Sequence, residues 1–484
     1  MSRVLTTNDN KILIGEDKKV YTQSSDLIIP TGTLDITENG TYDVTNYASA
    51  NVNVSSGGNG GNEKLTPLEL YYQDRPKDWL KINLPSELEE LYPNENAMEI
   101  LVLVRDGDYN CVAFKTNGVG VIDWGDGQTE NFNNTEVTNV LHNYNYDDIS
   151  DENYVEDLDG KLVVIRTIGL PYCGFNAYGR ETSNSAQSTT LKTNYCILEI
   201  SANIDDIFIR SQSDGVYLTQ LTYFHSRKTI STRTNKNYMF SGHEKIKIIT
   251  ELNCNYATSM REIFYGCYSL KAVSLLNTNS CTNMYRMFYG CYALQTIPQL
   301  DTSKVTNTSY MFYGCYALQT IPQLDTSKVT NMGNMFYLCY SLQTIPQLDT
   351  SSCTNMENMF NGCYSLKAVS LLNTNSCTNM NYMFGNCLVL QKISQLDLSK
   401  VTNSSNFSSP FTSLKSVMNL DIINAKLSFS LSFSPLLSAP ELVKIFNNLA
   451  TVTTTQTLTL GSALLGKLTD EQKAIATEKN WTLA

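Results

Sequence analysis

Met311-Phe-Tyr-Gly-Cys-Tyr-Ala-Leu-Gln-Thr-Ile-Pro-Gln-Leu-Asp-Thr-Ser-Lys-Val-Thr-Asn331 is followed, after three residues, by Met335-Phe336 and the same pattern again. Phe264, Phe288, Phe312, Phe336, Phe360 and Phe384 keep this 24-residue step, and Cys267, Cys291, Cys315, Cys339, Cys363 and Cys387 keep it three places later. A fixed period of this length is the signature of a solenoid. One such coil cannot bury its own apolar face, so it stacks on its neighbours, and stability becomes a sum over coils and the interfaces between them.

The parts of the repeat have separate tasks. Leu294, Ile297 and Leu300, copied as Leu318, Ile321 and Leu324, alternate with polar residues and suit a short strand. Pro298, Pro322 and Pro346 keep that strand short or irregular, because proline has no N–H for a ladder. Asp301-Thr-Ser-Lys304 makes a turn. Asn283, Asn307, Asn331, Asn355, Asn379 and Asn403, each preceded by Thr, either cap a short helical segment carrying Met311-Phe312 and its equivalents or form a side-chain ladder. Both roles satisfy backbone groups. Equivalent cysteines on adjacent coils lie about 5 Å apart, and their place beside Gly, Tyr and Phe reads as small core filling. Cys281, Cys353 and Cys377 share a column with Val305, Val329 and Val401, an exchange that also means apolar packing. His243 takes the first place in the cysteine column, marking that coil as a cap.

The tyrosines are the candidates for recognition. Tyr265, Tyr289, Tyr313 and Tyr337 lie two places before the cysteines, and Tyr268, Tyr292, Tyr316, Tyr340 and Tyr364 follow them. Two aromatic rows on one flank suit stacking on sugars or docking a protein. The alternative is packing between coils with only the hydroxyls wet.

Composition bounds the rest. With 484 residues, more than one module is expected. A net charge of -12 and no basic tract argue against nucleic acid. No run reaches the length of a membrane span and the start has no apolar h-region, so the chain is expected to stay out of the membrane. Thirteen cysteines, an odd number without a CxxC pair, predict neither a disulfide framework nor a zinc site, and no cofactor is implied. Catalysis is not expected. Asp301, Asp325, Asp349 and Asp397 form a column of equivalents, three of them with Lys304, Lys328 and Lys400 close by, whereas glycan cleavage needs two carboxylates in distinct environments. His142, His225 and His243 share no motif with a nucleophile.

The modules predicted are an N-terminal β segment over 1–55 with a hairpin at Asn39-Gly40, a Gly-rich linker over 56–62, and a β-sandwich over 63–185. A leucine-rich-repeat solenoid over 186–437 and an α/β cap over 438–484 follow. The cap begins with Ser438-Ala-Pro and carries a Thr-capped helix after Leu468. Residues 190–250, with Met239-Phe240 already in register, are expected to close the other end. Asp123-Trp-Gly-Asp-Gly127 invites a calcium reading, with Asx-type turn capping the stronger account.

Val121-Ile-Asp-Trp-Gly-Asp-Gly, Leu141-His-Asn-Tyr and Leu162-Val-Val-Ile-Arg-Thr-Ile-Gly together resemble the polycystic-kidney-disease-like (PKD-like), immunoglobulin-type β-sandwich that precedes the repeats of BspA-like surface proteins. The repeat, with its Thr-Asn-Met, Met-Phe, Gly-Cys and Leu-Asp-Thr-Ser elements, is similar to that family's leucine-rich repeats. The stretch from Asp35 to Val54 instead resembles a segment of phage structural proteins. The resemblance implies a mainly β chain with short helices that serves as a phage virion protein, a head or tail fibre displaying an adhesive solenoid. Its N-terminal segment would bind other virion proteins and its solenoid a host-surface glycan or protein. The analogy with fibres implies a homotrimer, and the missing leader places it on a virion. A BspA-like cell-surface adhesin and a polysaccharide depolymerase are the alternatives.

Overall fold

The computed structural model describes residues 67–484 apart from 107–110, 176–196, 204–205, 210–217, 219, 227–236, 251, 253, 275–276 and 408, together with three short strands nearer the N-terminus. The chain divides into two compact units, 1–70 and 71–484. In the first, β1 (Lys11–Ile14) pairs antiparallel with β2 (Val20–Tyr21) and β3 (Thr41–Asp43). β3 is the second arm of the hairpin expected at Asn39-Gly40, and the partner described for it is β1. The first arm, the continuation at 48–54 and the linker at 56–62 lie outside the described residues.

The second unit is built on one eleven-stranded sheet. After α1 (Pro67–Asp74) and α2 (Pro85–Leu91) come β4 (Ala97–Val104), β5 (Cys111–Asp123), β6 (Thr129–Asn143), β7 (Tyr154–Val155), β8 (Gly160–Ile168) and β9 (Tyr172–Phe175). The apolar run Ile100-Leu-Val-Leu-Val makes β4 a strand buried on both faces. β5 runs antiparallel to β8 along Val121–Asp123 and to β9 along Lys115–Asn117, and its register shifts between Thr116 and Gly118. The change of partner needs glycine. Gly118 has φ +104°, and a Cβ on Gly120 would lie 2.2 Å from the Ile168 carbonyl oxygen. The strands of the expected sandwich therefore belong to one sheet that β5 links, not to two separate sheets.

That sheet continues into the solenoid. β10 (Ile197–Asn203) lies antiparallel to β4, and β12 (Tyr223–Ser226), β13 (Ile248–Thr250) and β14 (Ala272–Val273) then add in parallel, while β11 (Asp206–Ile209) extends the other edge beside β9. The division expected at 185/186 falls between strands that hydrogen-bond side by side.

Of the two alternatives for the asparagine column, a capped helical segment appears only in the last coil, as the 3-10 turn Ser404–Asn406 capped by Asn403, and the described coils from Met260 to Cys387 form none. Met284, Arg286, Phe288 and Gly290 donate their N–H groups to the carbonyls of Asn307, Ser309, Met311 and Tyr313 on the next coil, at 2.8–3.2 Å. Between them Met287, Tyr289, Cys291 and Leu294 close turns onto the third residue back. Arg286 (φ 53°) and Gly290 (φ 72°) are left-handed, as are their equivalents in neighbouring coils, and left-handed residues stop an α-helix from propagating. The asparagines satisfy backbone groups as expected: Asn283, Asn307, Asn331 and Asn355 each accept the N–H two residues on, at 2.9–3.0 Å.

Proline keeps three coils out of the strand ladder, although the coil with Ser370 in the proline column makes only an isolated bridge, between Ala368 and Lys392. Ser274 stands one period before Pro298 and donates its N–H to the Ile249 carbonyl at 2.9 Å, next to the β13–β14 ladder. Ser394 stands in the same column within β15 (Lys392–Asp397), which pairs with β16 (Asn419–Ile423). The coils holding Pro298, Pro322 and Pro346 form no strand there. Glutamine side chains bridge those coils instead: Gln299 Nε2 donates to the Gln323 carbonyl, Gln323 to Gln347 and Gln347 to Leu371, at 2.5–2.6 Å.

The core is a bundle of identical columns. Phe264, Phe288, Phe312, Phe336, Phe360 and Phe384 are fully buried, with ring centroids 5.2–5.7 Å apart from coil to coil. Cys267, Cys291, Cys315, Cys339, Cys363 and Cys387 are free, buried filling, and each of these thiols also donates to a phenylalanine carbonyl of the preceding coil, such as Cys291 Sγ to Phe264 at 3.2 Å. His243 heads that column with neither ring nitrogen partnered, and burial lowers its pKa to about 4. At the far end β17 (Phe429–Ser430), β18 (Gln456–Thr459) and β19 (Trp481–Leu483) form a parallel sheet flanked by α3 (Ala439–Asn448), α4 (Gly461–Leu465) and α5 (Asp470–Thr477). Ser438 caps α3, and Thr469 with Gln472 forms a capping box on α5. Leu442, Ile445, Phe446 and Trp481 are buried against the last coils.

Candidate functional site

Both tyrosine rows are stacked columns. Tyr268, Tyr292, Tyr316, Tyr340 and Tyr364 follow one another at 4.6–4.8 Å with ring planes within 10°. Tyr265, Tyr289, Tyr313 and Tyr337 follow one another at 4.4–4.8 Å with ring planes within 18°. The glycine column lies beneath the outer row: a Cβ on Gly290 would sit 3.6 Å from the Tyr268 ring and 3.8 Å from that of Tyr292. Outer-row rings are about two-fifths exposed at Tyr268 and Tyr364, at 41%, and the inner row is half-buried.

Stacking changes what these residues offer. Between the ends of a column each ring face is covered by the next ring, so a sugar ring has no free face to stack on. What remains is a row of ring edges and phenol hydroxyls repeating at the coil spacing. Burial, followed by the neighbouring Tyr313, pushes the Tyr289 phenol up to about 12. Near neutral pH that hydroxyl is an uncharged donor and acceptor. Leu388 takes the place after Tyr364 and ends the outer row with an apolar side chain, 38% exposed.

Beside the inner row lies a cluster that counting identical residues does not reveal. The left-handed position of the first coils carries Tyr238, Glu262, Arg286 and Tyr310, and the position before it carries Asn237, Arg261, Tyr285 and Ser309. The Arg261 guanidinium carbon lies 5.0 Å from the Tyr285 ring centroid and 5.9 Å from that of Tyr238. The Arg286 carbon lies 4.9, 5.1 and 5.4 Å from the rings of Tyr285, Tyr310 and Tyr289. Glu262 Oε1 is 3.1 Å from Arg261 Nη2 and 3.8 Å from Arg286 Nη1. The two arginines are 25 residues apart rather than 24, which hid their adjacency. Reading the variable columns beside the constant ones would have exposed it.

The other candidates have structural tasks. Asp301, Asp325 and Asp349 each accept hydrogen bonds from the serine two residues on, which hold their carboxyls below the usual range. They line two shallow grooves with the glutamines, of about 380 and 720 Å³. Asp123 and Asp126 cap their turn by accepting the N–H of Gly125 and Gln128, at 2.9 and 3.1 Å. His142 Nε2 meets Asp126 at 2.7 Å and stacks on Trp124. His225 lies between Glu199 (3.1 Å) and Thr250 (2.6 Å), all fully buried. Burial alone would raise the Glu199 carboxyl, but hydrogen bonds and charge from His225, with Arg75 and Tyr71, lower it.

Residues 234–343 and 315–420 match a family described as "Mycoplasma protein of unknown function, DUF285". No curated protein matches the chain. Solved structures with some likeness include a TLR13–ssRNA13 complex, 15% identical with a TM-score of 0.21, covering 52% of this chain and 43% of that one. Another is the plant peptide hormone receptor RGFR1 in complex with RGF2, 11% identical with a TM-score of 0.17, covering 53% of this chain and 56% of that one. The chain thus spans about half the length of each.

Proposed function

We propose that this chain is a non-enzymatic adhesin of the BspA-like, bacterial cell-surface kind, in which the solenoid holds the tyrosine flank against a host-surface glycan or protein. In this reading residues 1–55 provide attachment and residues 63–185 a PKD-like spacer whose strands join the solenoid sheet. The observation that carries it is the pair of stacked columns, because seven ring-to-ring steps of 4.4–4.8 Å give a stiff, repetitive edge of hydroxyls. The family match over 234–420 favours this setting over the expected virion fibre, which has no support of its own; the homotrimer rested on the same fibre analogy.

Tyr292→Phe, Tyr316→Phe and Tyr340→Phe combined test it. Phenylalanine keeps the stack and removes the hydroxyls, so adhesion of protein-coated beads to host cells should fall about tenfold or more while the melting temperature holds. Undiminished adhesion would remove the flank from the reading.

A further inference from the structure

We propose that Arg261 and Arg286 form an anion-binding subsite at the head of the tyrosine flank, taking the carboxylate or sulfate of an acidic saccharide. The inference rests on the adhesin reading and names its ligand class. Two guanidiniums share one carboxylate there. The arginine side chains are 43% and 33% exposed and that of Glu262 only 10%, so the cations lie outward and the carboxylate inward. The cluster therefore keeps an excess positive charge on a chain of net charge -12.

The aromatic rings set the geometry. Tyr238, Tyr285, Tyr289 and Tyr310 surround the two guanidiniums at 4.9–5.9 Å and hold their orientation. Arg286 Nε has no hydrogen-bond partner. Planar guanidiniums fixed in this way suit the forked geometry of a carboxylate or sulfate. Along the same two columns the residues change to Gly333, Asn334, Glu357 and Asn358, so the cationic end is confined to the first coils. A polysaccharide lying on the tyrosine hydroxyls would be oriented by placing an acidic unit at the arginines. Nucleic acid fits less well, because two guanidiniums on an acidic chain neutralise too few phosphates.

The test measures binding of the full chain to immobilised heparin oligosaccharide (sulfate), oligogalacturonate (carboxylate), neutral dextran and single-stranded DNA. We expect one or both acidic glycans to bind at least about tenfold more tightly than dextran, and this binding to fall about tenfold in R261Q/R286Q. Heparin without oligogalacturonate assigns sulfate, and the converse assigns carboxylate. Glu262→Gln removes the competing carboxylate and should tighten acidic-glycan binding, which keeps the test decisive if the double variant fails to fold. The proposal is overturned if neither acidic glycan binds, if dextran or DNA binds as well, or if binding ignores both sets of substitutions. Host-cell adhesion that falls with the tyrosine substitutions but ignores R261Q/R286Q overturns the subsite and leaves the adhesin reading standing. Acidic-glycan binding lost in R261Q/R286Q, without host-cell adhesion, does the reverse.

Discussion

At the scale of single residues, the cysteine column sets how the protein responds to alkali. Cys267, Cys291, Cys315, Cys339, Cys363 and Cys387 are fully buried, and burial holds every one of these thiols above its ordinary range. Cys353 and Cys377 are pushed up to about 11 and about 12 by the same cause. A group whose pKa is raised by folding contributes stability that is complete below the unfolded value, about 8.5 for a thiol. That stability is lost as pH rises towards the folded value. Each thiol forfeits about 1.4 kcal/mol per pH unit in that window, so the column together forfeits about 8 kcal/mol per unit, comparable to a whole domain's stability. Urea midpoints should hold from pH 7 to 8 and collapse between about pH 9 and 10. Cys315→Ala should make that collapse shallower, and iodoacetamide should label these thiols only as the protein unfolds.

At the scale of elements, the glutamine bridges stand in for a missing ladder. Gln323 Nε2 donates to the carbonyls of Leu324 and Gln347, so Gln323→Ala should cost about 1 kcal/mol in chemical denaturation. Pro322→Ser should let position 322 donate to the Ile297 carbonyl as Ser274 does to that of Ile249, rather than stay without a strand as the Ser370 coil does. The gain of one hydrogen bond roughly offsets the lost rigidity of proline, so stability should stay within about 1 kcal/mol. A slowly exchanging amide at position 322 is the expected sign.

These elements also show what sequence alone could tell. The period and the buried Phe, Cys and Leu columns were legible because a constant step puts identical residues in contact. The turns stayed undecided between a capped helical segment and an asparagine ladder because their left-handed position carries Glu262, Arg286, Tyr310 and Asn334, side chains with no chemistry in common. The covered ring faces were not legible either: a row of tyrosines looks the same whether its rings face solvent or each other. The joining of the N-terminal strands to the solenoid depends on β4 meeting β10, a pairing between residues about a hundred positions apart that no local pattern records.

At the scale of the whole molecule, each end of the stack has its own closure. Towards the N-terminus Tyr71 and Arg75 reach the buried Glu199 at 2.6 and 2.9 Å, and Tyr223, Lys247 and Lys271 hold Asp74. Towards the C-terminus Leu442, Phe446 and Trp481 cover the final coils. A chain ended after residue 437 should bare that apolar surface and elute as aggregates in size-exclusion chromatography, because a solenoid without its cap presents a sticky end.

The coils beginning at Phe288 and Phe312 are identical for twenty residues, through Asn307 and Asn331. Each therefore offers its neighbours the same hydrogen bonds above and below. At the level of the gene, unequal recombination between two such repeats removes or duplicates one whole coil and leaves every surviving interface intact. The reach of the molecule can then lengthen or shorten by one ring spacing at a time; a deletion takes Tyr310 with it and leaves Arg261, Glu262 and Arg286 in the sequence.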